Sequence, residues 1–372
     1  MSLDNALKIA EGMGDWLVDQ TIEICKIPAP GFEEKERADY VAARMKEFGL
    51  SDVHVDQAYN AVGVLKGKGG PAVLFAAHID TVFPRSQPLD IRREPGKVWA
   101  PGIRDNSSGT AGMLGLIKVL EETGFQPKGD LIFAGTSGEE GLGDLKGIKQ
   151  AMKDYGSRAS MVICVDGDLG GLTHMGVGSR RLRVTIHATG GHSYGAFGAP
   201  SAIHSMGRMI ARMADVKVPK DPKTTYNVGV VSGGHSVNSI ATEAWMLVDM
   251  RSEGIAALAA LEKQVHEIVS SVCASDSVKA GIQVVGDRPA GGIPKDHPLV
   301  KTVEGVQARL GLKSRERAGS TDANVPLNMG IPAVCIGVTT GGNSHRPDEW
   351  LDEAPFVTGL KQLIMVVAEV AG

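Results

Sequence analysis

Apolar positions in this chain follow two spacings, and the switches between them sort it into elements. Residues 3–26 and 33–48 carry helical spacing, parted by Pro28-Ala29-Pro30-Gly31. Strand-like runs follow at 53–55, 61–65 and 72–77. The run 72–77 is continuously apolar, as expected of a strand buried on both faces. Asn106-Ser107-Ser108-Gly109 then opens a helix over 110–120, with further buried strands at 131–134 and 161–165. Strands alternating with helices predict an α/β domain, whose ligands collect beyond the carboxyl ends of its strands.

Near Gly178 the pattern changes to strand 182–188, helix 199–214, strands 225–231 and 244–249, helix 255–273 and strand 281–285. That β-α-β-β-α-β order is the split βαβ, or ferredoxin-like, unit. A Gly- and Pro-rich stretch, Pro289 to Pro294, closes it, and helix and strand spacing resume at 299–310 and 333–336. Residues 179–288 are therefore expected to form an α+β domain inserted into a larger α/β domain built from 1–178 and 289–372. The Gly67-Lys68-Gly69-Gly70 stretch lacks the context of a phosphate loop and reads as a hairpin turn.

A chain of 372 residues exceeds what one core usually serves, in agreement with two domains. A net charge of −4 without a sustained basic run argues against a nucleic-acid partner. The densest basic stretch, Arg180-Arg181-Leu182-Arg183, reads as a solvated strand edge. Cys25, Cys164, Cys273 and Cys335 form no C-x-x-C pair, which argues against a zinc-finger or disulfide framework. With no secretory signal and no apolar run of membrane-spanning length, a cytoplasmic protein is expected, with no membrane partner.

The candidate chemistry lies at the strand ends. His78 and Asp80 close the 72–77 run; two apart on an extended segment they share a face, so Asp80 can reach the ring nitrogen that His78 does not offer to a metal. Asp105, Glu139-Glu140, Asp166 and His345 stand at four further segment ends. Singly, each reads as a hydrogen-bonded loop residue, and the Glu139-Glu140 pair as a helix N-terminus. Together they suit two divalent ions about 3.5–4 Å apart. His78 and Asp166 can hold one ion, Glu140 and His345 the other, and Asp105 can bridge. Glu139 would take a proton from the attacking water and deliver it to the departing amine.

The segments His78-Ile79-Asp80-Thr81-Val82, Asp105-Asn106, Gly138-Glu139-Glu140-Gly141-Leu142, Val165-Asp166-Gly167 and Ser344-His345-Arg346-Pro347-Asp348-Glu349 resemble the M20 family of co-catalytic zinc exopeptidases and aminoacylases. The resemblance spans essentially the whole chain. It implies a zinc-exopeptidase-like α/β domain, with a mixed sheet flanked by helices, and a ferredoxin-like lid and dimerisation domain. It also implies two divalent ions (zinc, with cobalt or manganese as alternatives) and a cis peptide at Asp105–Asn106. Asp80 and Glu139 would be catalytic, and His78, Asp105, Glu140, Asp166 and His345 the metal ligands. In the lid, Gly190-Gly191-His192-Ser193 resembles the segment whose histidine reaches the substrate carbonyl, usually from the partner subunit of a homodimer. Asn238 and Arg251 match positions that bind the substrate's polar groups or carboxylate.

Two positions depart from the family or divide it. Many relatives carry Lys where this chain has Ser107, a difference expected to touch substrate preference rather than metal binding. At the fourth ligand, deacylase and carboxypeptidase relatives tend to use Glu and di- and tripeptidase relatives Asp, so Asp166 tilts the reading toward an aminopeptidase or dipeptidase of short peptides. An N-acyl amino acid deacylase or carboxypeptidase is the alternative, and a non-catalytic small-molecule-binding relative a more distant one. His54, His187, His204, His266 and His297 read as solvated or capping, His174 matches no ligand position, and Asp166 is preferred to Asp168.

Overall fold

A computed structural model describes residues 2–372 and divides them into two units, one running to Gly176 and resuming over Gly292–Gly372, the other spanning Val177–Gly291. The first unit begins with helices α1 (Leu3–Glu11), α2 (Gly14–Cys25) and α3 (Lys35–Glu47). The single helical pattern expected over 3–26 is thus two helices. Gly12 and Met13 break it, with Gly12 N–H turning back to Ile9 at 3.0 Å. Glycine, the weakest ordinary helix former, is the natural place for that break. Strands β1 (Ser51–Val55), β2 (Ala61–Leu65) and β3 (Gly70–His78) follow, then α4 (Gly109–Glu122), β4 (Gly129–Thr136), α5 (Lys146–Tyr155), β5 (Ala159–Val165) and β6 (Gly171–Gly176).

The second unit contains β7 (Gly178–His187), α6 (Ala202–Ala214), β8 (Thr224–Gly233), β9 (Glu243–Ser252), α7 (Ile255–Asp276) and β10 (Lys279–Arg288). Its antiparallel sheet has the order β8-β9-β7-β10, the split βαβ arrangement. Leu182, Val184 and Ile186 of β7 and Ala244, Met246 and Val248 of β9 alternate inward onto α6 and α7. The basic stretch 180–183 is not an edge, because β7 is paired on both sides. Arg180 meets Glu262 and Asp287 at 3.2 and 2.8 Å, Arg181 meets Asp249 at 3.0 Å, and Arg183 lies over Trp245 at 4.1 Å. Partners on neighbouring elements allow these arginines to occupy an interior strand.

The chain returns to the first unit through α8 (Pro298–Arg309), β11 (Arg315–Gly319), α9 (Asn324–Asn328), β12 (Ala333–Ile336) and α10 (Phe356–Ala371). The mixed sheet runs β1-β2-β4-β3-β5-β12-β6, with β11 parallel to β6. Its centre, β4-β3-β5-β12, is parallel, so these carboxyl ends emerge on one side. Residues 66–69 therefore form no hairpin turn: β4 lies between β2 and β3, and the loop crosses it. Alternate residues of β3 feed two cores, Val73, Phe75 and Ala77 on one face, Ala72, Leu74 and Ala76 on the other. Helices α1–α4, α8 and α10 contribute to the first core and α5 and α9 to the second, which explains the unbroken apolar run. Among the described residues no helix is long and apolar enough to cross a membrane.

Candidate metal centre

His78 is the last residue of β3, and the chain leaves the sheet there, with its ring buried to 2% exposure. Its Nε2 lies 3.1 Å from Asp105 Oδ1 and 3.9 Å from Asp166 Oδ1. On the other side of the ring, Nδ1 lies 3.2 Å from the Asp80 carbonyl and 3.6 Å from its carboxylate. The carboxylate of Asp80 also accepts the backbone N–H groups of Glu139 and Glu140 at 3.0 and 2.8 Å, tying the β3 end to the loop after β4. Arg37 of α3, almost wholly buried, donates to the carbonyls of Ile27 and Ile79 at 2.8 and 2.9 Å and so pins the residue between His78 and Asp80.

Asp105 sits in a tight segment before α4, and its peptide bond to Asn106 is cis. Asn106 Nδ2 donates to the Val165 carbonyl at 2.8 Å and its Oδ1 accepts Gly109 N–H at 3.1 Å, coupling Asp105 to the strand that ends at Asp166. A Cβ on Gly109 would stand 2.1 Å from Asn106 Oδ1 and 2.4 Å from Val165 O, so only glycine fits. His345, at φ +66, has Nε2 2.8 Å from Glu140 Oε1 and 3.3 Å from Asp105 Oδ2. One oxygen of Asp105 thus faces each imidazole. The possible ligand sets are His78, Asp105 and Asp166 on one side and Asp105, Glu140 and His345 on the other, each set within 4.8 Å. A third overlapping set, His78, Glu139 and Glu140, brings Glu139 to the same centre.

The electrostatics fit cations. Burial opposes a charge on His78, but the Asp105 and Asp80 hydrogen bonds outweigh it and raise its pKa well above the usual value. Hydrogen bonds to Asp105 and Glu140 raise that of His345 to about 10. Burial works against the charge of Asp105 too, yet the His345 and His78 imidazoles hold its carboxyl well below the carboxylate range. Burial, then the Asp105 charge, pushes Asp166 up to about 6. Four carboxylates, Asp105, Glu139, Glu140 and Asp166, therefore converge on a place where the raised pKa values of the two imidazoles favour their protonated, balancing form. Divalent ions would supply that charge with the imidazoles neutral, and the donor set of histidine nitrogen and carboxylate oxygen suits zinc and its neighbours.

Asp168 faces Arg104 instead, at 3.0 Å from Nε and 2.8 Å from Nη2. His174 is buried between the Ile293 carbonyl, 2.7 Å away, and Glu316, 3.3 Å away. His297 caps α8 by accepting Leu299 N–H. Ser107 donates to the Gly102 carbonyl at 2.7 Å and is buried. Within the second unit, His192 and Asn238 lie side by side, Ser193 N–H donating to the Asn238 carbonyl at 3.0 Å. The His192 ring is exposed, and its Nδ1 accepts the N–H groups of Tyr194 and Gly195, both at 3.2 Å. Arg251 stands apart on β9, bonded to Asp249 at 2.8 Å.

One contributor was not singled out from the sequence. Glu349, fully buried, accepts the backbone N–H groups of Arg104 and Asp105, each at 2.8 Å, and of His345 at 3.3 Å. Burial raises its carboxyl to about 7. The available signal was its place four residues beyond His345 in the same polar loop.

The profile of Peptidase family M20/M25/M40 matches residues 74–369. The chain is 27% identical to succinyl-diaminopimelate desuccinylase of Corynebacterium glutamicum, over 91% of this chain and 92% of that one. It is 24% identical to carboxypeptidase G2 of Pseudomonas sp., over 84% and 79% of the two chains. In fold it is similar to aminopeptidase PepT of Bacillus cereus (TM-score 0.80, 21% identity, 96% and 98% covered). A dinuclear metal-binding M20 peptidase of Bacillus subtilis, YXEP, is similar too (TM-score 0.72, 18% identity, 97% and 99% covered). The chain belongs to peptidase family M20/M25/M40, whose members are metal-dependent hydrolases.

Proposed function

We propose that this hydrolase cleaves amide bonds with two divalent metal ions, zinc by preference, and acts on short peptides with a free amino end. The observation that carries the reading is the division of Asp105, one oxygen 3.1 Å from His78 and the other 3.3 Å from His345, which suits a carboxylate shared by two ion sites. His78 and Asp166 would complete one site, Glu140 and His345 the other. Bound there, two divalent ions would supply positive charge that polarises the scissile carbonyl and acidifies the attacking water. Glu139, buried beside His78 and Glu140, takes a proton from the attacking water and passes it to the departing amine. Asp80 orients His78.

The unit around β7–β10 acts as lid and dimerisation domain in this reading. His192 donates to the substrate carbonyl as charge develops there, and Asn238 and Arg251 bind the substrate's polar ends. The exposed Tyr194, Phe197 and Val237 near His192 give a homodimer contact apolar surface to cover. The four free cysteines accord with a cytoplasmic setting.

A peptidase is favoured by Asp166 in place of Glu. Deacylation of N-acyl amino acids, or carboxypeptidase action, is the second reading, favoured by the similarity to proteins named desuccinylase and carboxypeptidase. The deciding experiment strips the protein of metal, reloads it with Zn, Co or Mn, and compares amino acid release from tripeptides and from N-acetyl amino acids. Faster release from tripeptides is expected. Faster release from N-acetyl amino acids would install the second reading, and release from neither would reject both.

A further inference from the structure

A cavity of about 300 Å³ in the first unit is lined by Asp105 and Asp166 and also by Arg104, Asp168 and Arg317. We infer that it is an acid-binding subsite, and that preferred substrates carry a second anionic group close to the scissile amide. This deepens the hydrolase reading proposed above and rests on it.

Beyond the two carboxylates of the proposed metal centre, the lining holds two guanidinium groups, Arg104 and Arg317, and one further carboxylate, Asp168. Arg104 is locked in place: Nε and Nη2 donate to Asp168 Oδ1 at 3.0 and 2.8 Å, and Nη1 to the Ser344 hydroxyl. Arg317 is held loosely, with Asp168 3.8 Å away and 44% of its side chain exposed. Asp168 is thus committed to Arg104, and of these three groups one positive charge remains, on the more exposed Arg317 guanidinium. A Cβ on Gly171 would come within 3.1 Å of Arg317 Nη2, so the glycine lets that guanidinium lie against the backbone at the cavity wall. Thr173 and Thr321 complete a polar lining. An apolar side chain would desolvate these groups without replacing their hydrogen bonds, whereas a carboxylate can take the Arg317 fork. The volume, at the small end for ligand pockets, suits a short acidic arm.

The test pairs acidic substrates with neutral isosteres on the metal-loaded enzyme: Glu-Ala with Gln-Ala, Ala-Glu with Ala-Gln, and N-succinyl- with N-butyryl-alanine. At least one pair should favour the acid about tenfold or more in kcat/KM, the scale set by one charge-assisted hydrogen bond. Arg317→Ala should shrink that ratio to near unity, and Arg317→Lys should restore part of it. Ratios within twofold in every pair, or a preference that survives Arg317→Ala in protein with unchanged circular dichroism, would overturn the subsite while leaving the hydrolase reading standing. If no substrate is cleaved, the hydrolase reading fails instead, and calorimetry with succinate and butyrate decides the subsite. Tighter succinate binding that is lost in Arg317→Ala supports it, and equal binding rejects it.

Discussion

The carboxylate of Asp80 accepts the backbone N–H of Glu140 at 2.8 Å, across a separation of sixty residues in the chain. It takes Glu139 N–H at 3.0 Å as well, while lying 3.6 Å from His78 Nδ1. One buried anion therefore fixes the ring of a proposed ligand and the backbone of both glutamates. Asp80→Asn can keep only part of this, because an amide offers one acceptor oxygen and presents N–H groups where an acceptor is needed. Metal affinity and kcat should each fall about ten- to a hundredfold. Metal titration and steady-state kinetics check both. Full affinity and full turnover in Asp80→Asn would remove Asp80 from the site.

Glu139 and Glu140 are neighbours with different proposed jobs, and substitution separates them. Glu139→Gln should lower kcat by about a hundred- to ten-thousandfold, the usual scale for a lost general base, and retain both metal ions by elemental analysis. Glu140→Gln should instead weaken binding at the His345 side. A Glu139→Gln protein that loses a metal ion would mean the two roles are exchanged.

The strand-end residues were legible because their positions follow from local pattern. A long apolar run such as 72–77 must be a central strand, and the residues just past its carboxyl end must border the crevice. The split βαβ order of the second unit was legible for the same reason. What stayed hidden depends on partners far away in sequence. Nothing near residues 66–69 says that β4 will wedge between β2 and β3, and nothing near Arg181 announces Asp249. The Glu349 clamp joins residues 244 apart to backbone N–H groups, which every residue but proline carries and which therefore leave no mark in sequence. Arg104 and Asp168 likewise read as ordinary charged loop residues until the fold brings them together.

Glu349 supports both halves of the centre through main chain alone, its Oε1 taking Arg104 and Asp105 and its Oε2 taking His345. In Glu349→Gln the oxygen can still serve the first two, but the amide nitrogen meets the His345 N–H donor to donor. An ion at the proposed His345–Glu140 site should then bind about ten- to a hundredfold more weakly, and one at the proposed His78–Asp166 site should change less. Glu349→Ala leaves three part-buried N–H groups without that acceptor and should lower Tm. Stepwise metal titration separates the two sites. Equal weakening of both would indicate general loosening rather than support of His345.

Metal-free protein should lose stability as pH rises. Asp166 and Glu349 have folded pKa values of about 6 and about 7, above their ordinary 3.8 and 4.5. Each contributes stability that is complete below the ordinary value and is lost as pH climbs through the raised one. His345, raised from 6.5 to about 10, adds a loss of the same sign at higher pH. Asp80 and Asp105, both lowered, act in the opposite sense only below about pH 4. The Tm of stripped protein should therefore fall steadily from pH 5 to pH 9. Divalent ions bind the deprotonated ligands, so the gain in Tm on reloading should widen over the same interval. Thermal denaturation of the two forms side by side checks this. A stripped-protein Tm that is flat or rising from pH 5 to pH 9 would mean that these groups are not held in the protonation states that their hydrogen bonds and burial dictate.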